Sequence, residues 1–86
     1  MFRIEIKPTA QKNLSQIPSH YKEKISIAID DLTMNPYPIG SKKLKGTDNL
    51  YGYRVGKYRI IYEVFKNELV IYIIDIDHRK DVYKNM

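Results

Sequence analysis

The chain contains no cysteine and no tryptophan, only two histidines, and no apolar run of membrane-spanning length. Each absence excludes something. Without cysteine there is no disulfide, no thiolate zinc site and no cysteine nucleophile. The histidines, His20 and His78, lie far apart and outside any closely spaced ligand set, so neither a metal nor another cofactor is expected. A membrane span needs about 20 consecutive apolar residues, and no membrane association is expected. Residues 1–7 alternate apolar and charged side chains, which is not the pattern of a signal peptide. A cytoplasmic location is the expectation.

What is present fits one small folded domain, residues 1–86. Hydrophobic residues make up 43% of the 86, enough for a modest core. The formal charge is +5 and the pI about 9.4. A positive field of this size suits an anionic partner, either nucleic acid or an acidic protein. Solubility alone is the plain alternative.

Hydrophobic periodicity gives the order β-α-α-β-β-β, an α+β chain. In residues 1–7, Phe2, Ile4 and Ile6 alternate with Arg3, Glu5 and Lys7, which predicts a strand. Pro8 opens a short helix whose inner face is Ala10, Leu14 and Ile17. Pro18 breaks the chain and Ser19 is an N-cap candidate for a second helix. Its inward stripe is Tyr21, Ile25, Ala28 and Leu32, with Ile29 beside it, and Asn35-Pro36 ends it. The short link predicts an antiparallel helical hairpin, packed on a mainly antiparallel four-stranded sheet. Residues 37–49 read as a loop. Strands are predicted over residues 50–55, 58–65 and 69–76, the last a near-continuous apolar run expected to be buried on both faces.

Positive charge concentrates around one turn. Gly56-Lys57 suits a two-residue type II′ hairpin, which would place Arg54 directly opposite Arg59 on one face. Like charges opposed across a ladder repel, whereas paired guanidinium groups match phosphate oxygens. The alternatives are arginines splayed to solvent or neutralised by Glu63 or Asp75. From Lys42 to Arg59 there are six cations, Lys42, Lys43, Lys45, Arg54, Lys57 and Arg59, against Asp48 alone. Tyr51, Tyr53 and Tyr58 are interleaved, the combination that grips single-stranded RNA. Tyrosine is also an ordinary strand residue, so core packing competes for each ring. The ending Asp77-His78-Arg79-Lys80-Asp81-Val82-Tyr83 adds a titratable histidine, an arginine and a tyrosine. These are suited to proton transfer and to stabilising a phosphorane, or to an ordinary solvated surface.

Three segments carry a resemblance: Lys43-Leu44-Lys45-Gly46; the run Leu50-Tyr51-Gly52-Tyr53-Arg54-Val55-Gly56-Lys57-Tyr58-Arg59-Ile60-Ile61-Tyr62-Glu63; and Asp77-His78-Arg79-Lys80-Asp81-Val82-Tyr83. Together they resemble toxins of the RelE/ParE superfamily, on the side of the RelE-like mRNA interferases. The resemblance implies a type II toxin–antitoxin toxin with a RelE-like fold. The implied activity is a ribosome-dependent, metal-independent endoribonuclease that cuts mRNA in the ribosomal A site by 2′-hydroxyl attack on the scissile phosphate. Arg59, Arg79 and Tyr83 match the family's catalytic arginines and tyrosine, with Arg54 and His78 as further catalytic candidates. Lys42, Lys43, Lys45, Lys57, Tyr53 and Lys80 are the candidate RNA contacts. The family's lysine pair before the hairpin is replaced here by Gly52 and Arg54, so the proton-transfer group is open, with His78 the candidate. The implied partners are a cognate acidic RelB-like antitoxin, the ribosome with its mRNA, and promoter DNA through the antitoxin complex. The alternatives are a ParE-like DNA gyrase inhibitor, or a degenerate toxin that only binds its antitoxin.

Overall fold

The structure, a computed structural model, describes residues 1–78, with the backbone alone at His78. The element order is β1 (Arg3–Ile6), α1 (Pro8–Ser15), α2 (Ser19–Leu32), β2 (Lys42–Lys43), β3 (Leu50–Val55), β4 (Tyr58–Phe65) and β5 (Val70–His78). The five strands form one sheet in the order β1-β5-β4-β3-β2. Only β1 and β5 run parallel; the other pairs are antiparallel.

Alternation along the strands separates two faces. Tyr58, Ile60, Tyr62 and Val64 of β4 point inward with Ile71, Ile73 and Ile76 of β5. Ala10 of α1 and Ile25, Ile29 and Leu32 of α2 close over them. Tyr62 is fully buried, and its hydroxyl donates 2.7 Å to the Pro36 carbonyl. This bond ties the segment after α2 to the centre of the sheet.

Five details differ from the sequence expectation. Part of the expected loop forms a fifth strand: Lys42 pairs with Gly52 and Lys43 with Tyr51. Two lysines on a two-residue edge strand carry no apolar periodicity to predict it, and they protect that edge from further pairing. Ser19 is the first residue of α2 rather than its cap; Pro18 holds the cap position without a side-chain hydrogen bond. Ile17 is buried but lies beyond the end of α1. The last strand starts at Val70, because Leu69 has φ 55° and sits in the preceding turn. Val70, Ile71, Ile73 and Ile76 are buried, while Tyr72 and Ile74 are only half-buried, so burial on the second face is partial.

The β4–β5 register changes midway. Tyr62 pairs with Ile73 but Ile61 pairs with Asp75, leaving Ile74 as an extra, bulged residue. Beyond the bulge Ile60 pairs with Ile76 and Arg59 with Asp77. An uninterrupted register would have set Ile76 opposite Arg59 and turned Asp75 and Asp77 toward the helices. The bulge reverses the parity of residues 75–78 and so re-aims their side chains.

Candidate RNA-binding groove

The groove is built on the β3–β4 hairpin, on the sheet face away from the core. Gly56 has φ 60° and Lys57 does not have positive φ, the type II′ pattern. Val55 accordingly pairs with Tyr58, and Arg54 lies directly opposite Arg59. The turn is pinned from the helix side. A side chain at Gly56 would meet the Tyr21 ring at 3.3 Å, and Tyr21 packs edge-on to Tyr58 at 5.4 Å.

Gly52 explains how Arg59 lies. A β-carbon there would come within 3.3 Å of Arg59 Cδ and 3.6 Å of Cγ. The arginine stem therefore runs across the bare glycine backbone, and Gly52 is buried beneath it. With Arg59 so placed, the space over residue 52 is occupied.

Arg54, Arg59, Lys42, Lys43 and Lys45 line an open groove of about 690 Å³, with Gly40, Leu44, Gly52 and Tyr53 as its walls and a fully exposed Ile39 at the rim. Tyr53 borders the groove while also packing against the core. Tyr58 is buried and Tyr51 packs on Tyr62 at 5.8 Å, so core packing takes these two rings. Lys57 is exposed at the hairpin tip and does not line the groove. Arg79, Lys80 and Tyr83 lie outside the described residues, as does the side chain of His78, whose backbone pairs with Tyr58.

The acid facing the arginines is neither Glu63 nor Asp75 but Asp77. Its Oδ2 stands 3.8 Å from Arg59 Nη2, well beyond the ~2.8 Å of a charge-assisted hydrogen bond. Arg59 Nε is buried without a hydrogen-bond partner among the described residues. An orphaned donor costs about 1–3 kcal/mol. Asp77 is itself perturbed: burial, then hydrogen bonding to Asp75 and the Asp75 charge, push its carboxyl up to about 6, against the opposing pull of Arg59. Sequence reasoning missed Asp77 because its face depends on the bulge, and missed Gly52 because a glycine contributes space rather than a functional group.

The structure is thus a small α+β domain with a basic groove on one sheet face, and similarity to known proteins specifies its family. The family described as "ParE toxin of type II toxin-antitoxin system, parDE" matches residues 4–83. Putative toxin RelE1 of Methanocaldococcus jannaschii is 36% identical over 87 aligned positions, covering 98% of this chain and 97% of its own. Toxin RelE3 of the same organism is 35% identical over 87% of this chain and 88% of its own. The toxin in the archaeal RelE–RelB complex from Pyrococcus horikoshii superposes with a TM-score of 0.82 at 31% identity, over 91% of this chain and 94% of its own. The chain belongs to the RelE/ParE family of type II toxin–antitoxin toxins, and within it is of the RelE type. No helix among the described residues is long and apolar enough to cross a membrane.

Proposed function

We propose that the chain is a ribosome-dependent mRNA endonuclease, cutting in the A site by attack of a 2′-hydroxyl on the adjacent phosphate. The observation that carries this is Arg54 opposite Arg59 on the open sheet face, beside Lys42 and with a single loosely held acid. Opposed arginines cost stability, and a bound phosphate would turn the repulsion into a bidentate grip. In this reading Arg59 holds the scissile phosphate and offsets charge on the phosphorane. Arg54 and the lysines hold flanking phosphates, and Arg79, Tyr83 and His78 complete the site. The guanidinium groups provide charge stabilisation without requiring a metal.

The partner that silences the toxin is an acidic RelB-like antitoxin, since the Pyrococcus relative was solved in complex with RelB. An acidic segment folding onto the groove would neutralise the same cations. Promoter DNA would be bound through that complex, and both proteins would act in the cytoplasm.

The test is translation of a defined mRNA with purified ribosomes. The endonuclease reading expects cuts within codons only when ribosomes are present. Intact mRNA together with blocked DNA supercoiling would instead identify a gyrase inhibitor, and neither effect would identify a toxin that only binds its antitoxin.

A further inference from the structure

The cleavage step needs a group that removes the 2′-hydroxyl proton, and neither Arg54 nor Arg59 can do so, because guanidinium stays protonated in proteins. We propose that the Asp77 carboxylate is that general base, presented by β5 beside the phosphate held on Arg59. This rests on the endonuclease reading above.

Geometry comes first. Asp77 and Arg59 are direct cross-strand partners, so both side chains share the groove face. They do so because of the bulge at Ile74; the uninterrupted register would turn Asp77 toward the helices. Asp77 Oδ2 is 3.8 Å from Arg59 Nη2, close enough to share one phosphodiester and too far for a committed pair. A hydroxyl poised for attack stands about 3–3.5 Å from phosphorus. A phosphate seated on Arg59 therefore places its neighbouring 2′-oxygen within reach of this carboxylate. The side chain remains 30% exposed, so substrate can approach it.

The surroundings fit the task. Asp75, on the same strand, accepts hydrogen bonds from Asn13 Nδ2 of α1 and from the Ile76 N–H, which fix its carboxylate. The charged groups facing Asp77 are therefore Asp75 on its own strand, Arg59 on β4 and, beyond it, Arg54 on β3. α1 contributes the neutral Asn13 through Asp75. Burial and Asp75 raise the Asp77 carboxyl to about 6. A base titrating near the working pH combines a high ionised fraction with useful proton affinity.

The step balances. The 2′-hydroxyl proton passes to Asp77 while the 2′-oxygen–phosphorus bond forms. The phosphorus–5′-oxygen bond then breaks, and the 5′-oxygen takes a proton from solvent. The products are a 2′,3′-cyclic phosphate and a 5′-hydroxyl, and nothing is oxidised or reduced.

The experiment is single-turnover cleavage of a defined mRNA on ribosomes from about pH 5.5 to 8.5, with the purified chain and its Asp77→Asn, Asp77→Glu and Asp75→Asn variants. The unsubstituted chain should gain rate with unit slope and level off above about pH 6. Asp77→Asn should lose about 10²-fold or more at pH 7.5 and lose that limb, with binding to mRNA-loaded ribosomes kept. Asp77→Glu should recover part of the rate, and Asp75→Asn should move the limb to lower pH. Cleavage by Asp77→Asn within about threefold of the parent, with the same profile, would overturn the proposal. So would a pH-independent loss that tracks weakened ribosome binding, since Asp77 would then only position Arg59. If the unsubstituted chain cuts nothing at any pH, the endonuclease reading falls and takes this inference with it. If it cuts and Asp77→Asn cuts equally, only the role of Asp77 falls.

Discussion

Replacing Gly52 should separate stability from activity. The added β-carbon of Gly52→Ala would stand 3.3 Å from Arg59 Cδ, 3.5 Å from Leu44 Cδ2 and 3.6 Å from Arg59 Cγ. Ordinary carbon contacts lie at about 3.5–4.0 Å, so the Arg59 stem must yield by a few tenths of an ångström. The stem is flexible and half-exposed, and the movement is cheap for the fold. Glycine within a strand costs about 0.5–1 kcal/mol relative to alanine, so Gly52→Ala should be neutral or slightly stabilising in urea unfolding. Activity is less tolerant, because a displacement of about 1 Å at a reacting group can cost about 10²-fold. Gly52→Ala should therefore lose roughly threefold in single-turnover cleavage. Gly52→Val, whose branches cannot share the space with the stem, should lose about 10²-fold. Gly52→Lys should not raise the rate, since its side chain and the Arg59 stem compete for one position. A folded Gly52→Val that cleaves at the parental rate would refute the reasoning, because the Arg59 conformation would then be irrelevant to the chemistry.

Arg54→Met should relieve the repulsion with Arg59 and stabilise the fold by about 0.2–1 kcal/mol, while weakening RNA binding. The slope of log affinity against log salt should fall by about 0.7 for each phosphate of single-stranded RNA that the variant no longer neutralises; an unchanged slope would remove Arg54 from the phosphate track. Tyr62→Phe leaves the Pro36 carbonyl without its 2.7 Å donor and should cost about 1–3 kcal/mol in thermal or urea unfolding. Asp77 rises from 3.8 to about 6 on folding, so its stabilising contribution is complete below about pH 4 and is lost as pH rises through about 6. For a solvent-screened carboxyl this amounts to about 1 kcal/mol, and a pH series of melts should show that decline in the parent and not in Asp77→Asn.

The hairpin was legible because its information is local. Alternation in Leu50–Val55 and Tyr58–Phe65 fixes the faces, and Gly56-Lys57 fixes the turn. The opposition of Arg54 and Arg59 results from those two facts alone. The helices were legible from their stripes, although Ile17 and Ser19 fell on the wrong side of their boundaries, where proline and not periodicity decides. The edge strand Lys42–Lys43 was not legible, since two lysines become a strand only when β3 offers them partners. The roles of Gly52 and Asp77 were hidden for the same reason: each is defined by a neighbour on another strand. For Gly52 that neighbour is Arg59. For Asp77 it is again Arg59, through a register that no local pattern encodes.

The bulge joins these points. Residues 69–74 form an apolar run that hides strand parity, so Asp75 and Asp77 could be assigned to either face. Without the bulge both carboxylates would point toward the helices, where unpaired charge is costly. Ile76 would then lie beside the arginines, where an apolar side chain offers nothing to RNA. Inserting Ile74 exchanges the two outcomes: Ile76 becomes core at 3% exposure, and Asp77 comes to face Arg59. Folding alone would be served by a regular ladder carrying apolar residues at the inward positions. Keeping Asp77 and adding the residue that turns it toward Arg59 makes sense if the groove needs a carboxylate next to its arginines. The stability lost between about pH 4 and 6 then becomes the cost of holding a proton acceptor there. An Asp77→Asn protein more stable than its parent at pH 7 but unable to cut would show that exchange directly; one less stable and fully active would mean the bulge serves packing alone.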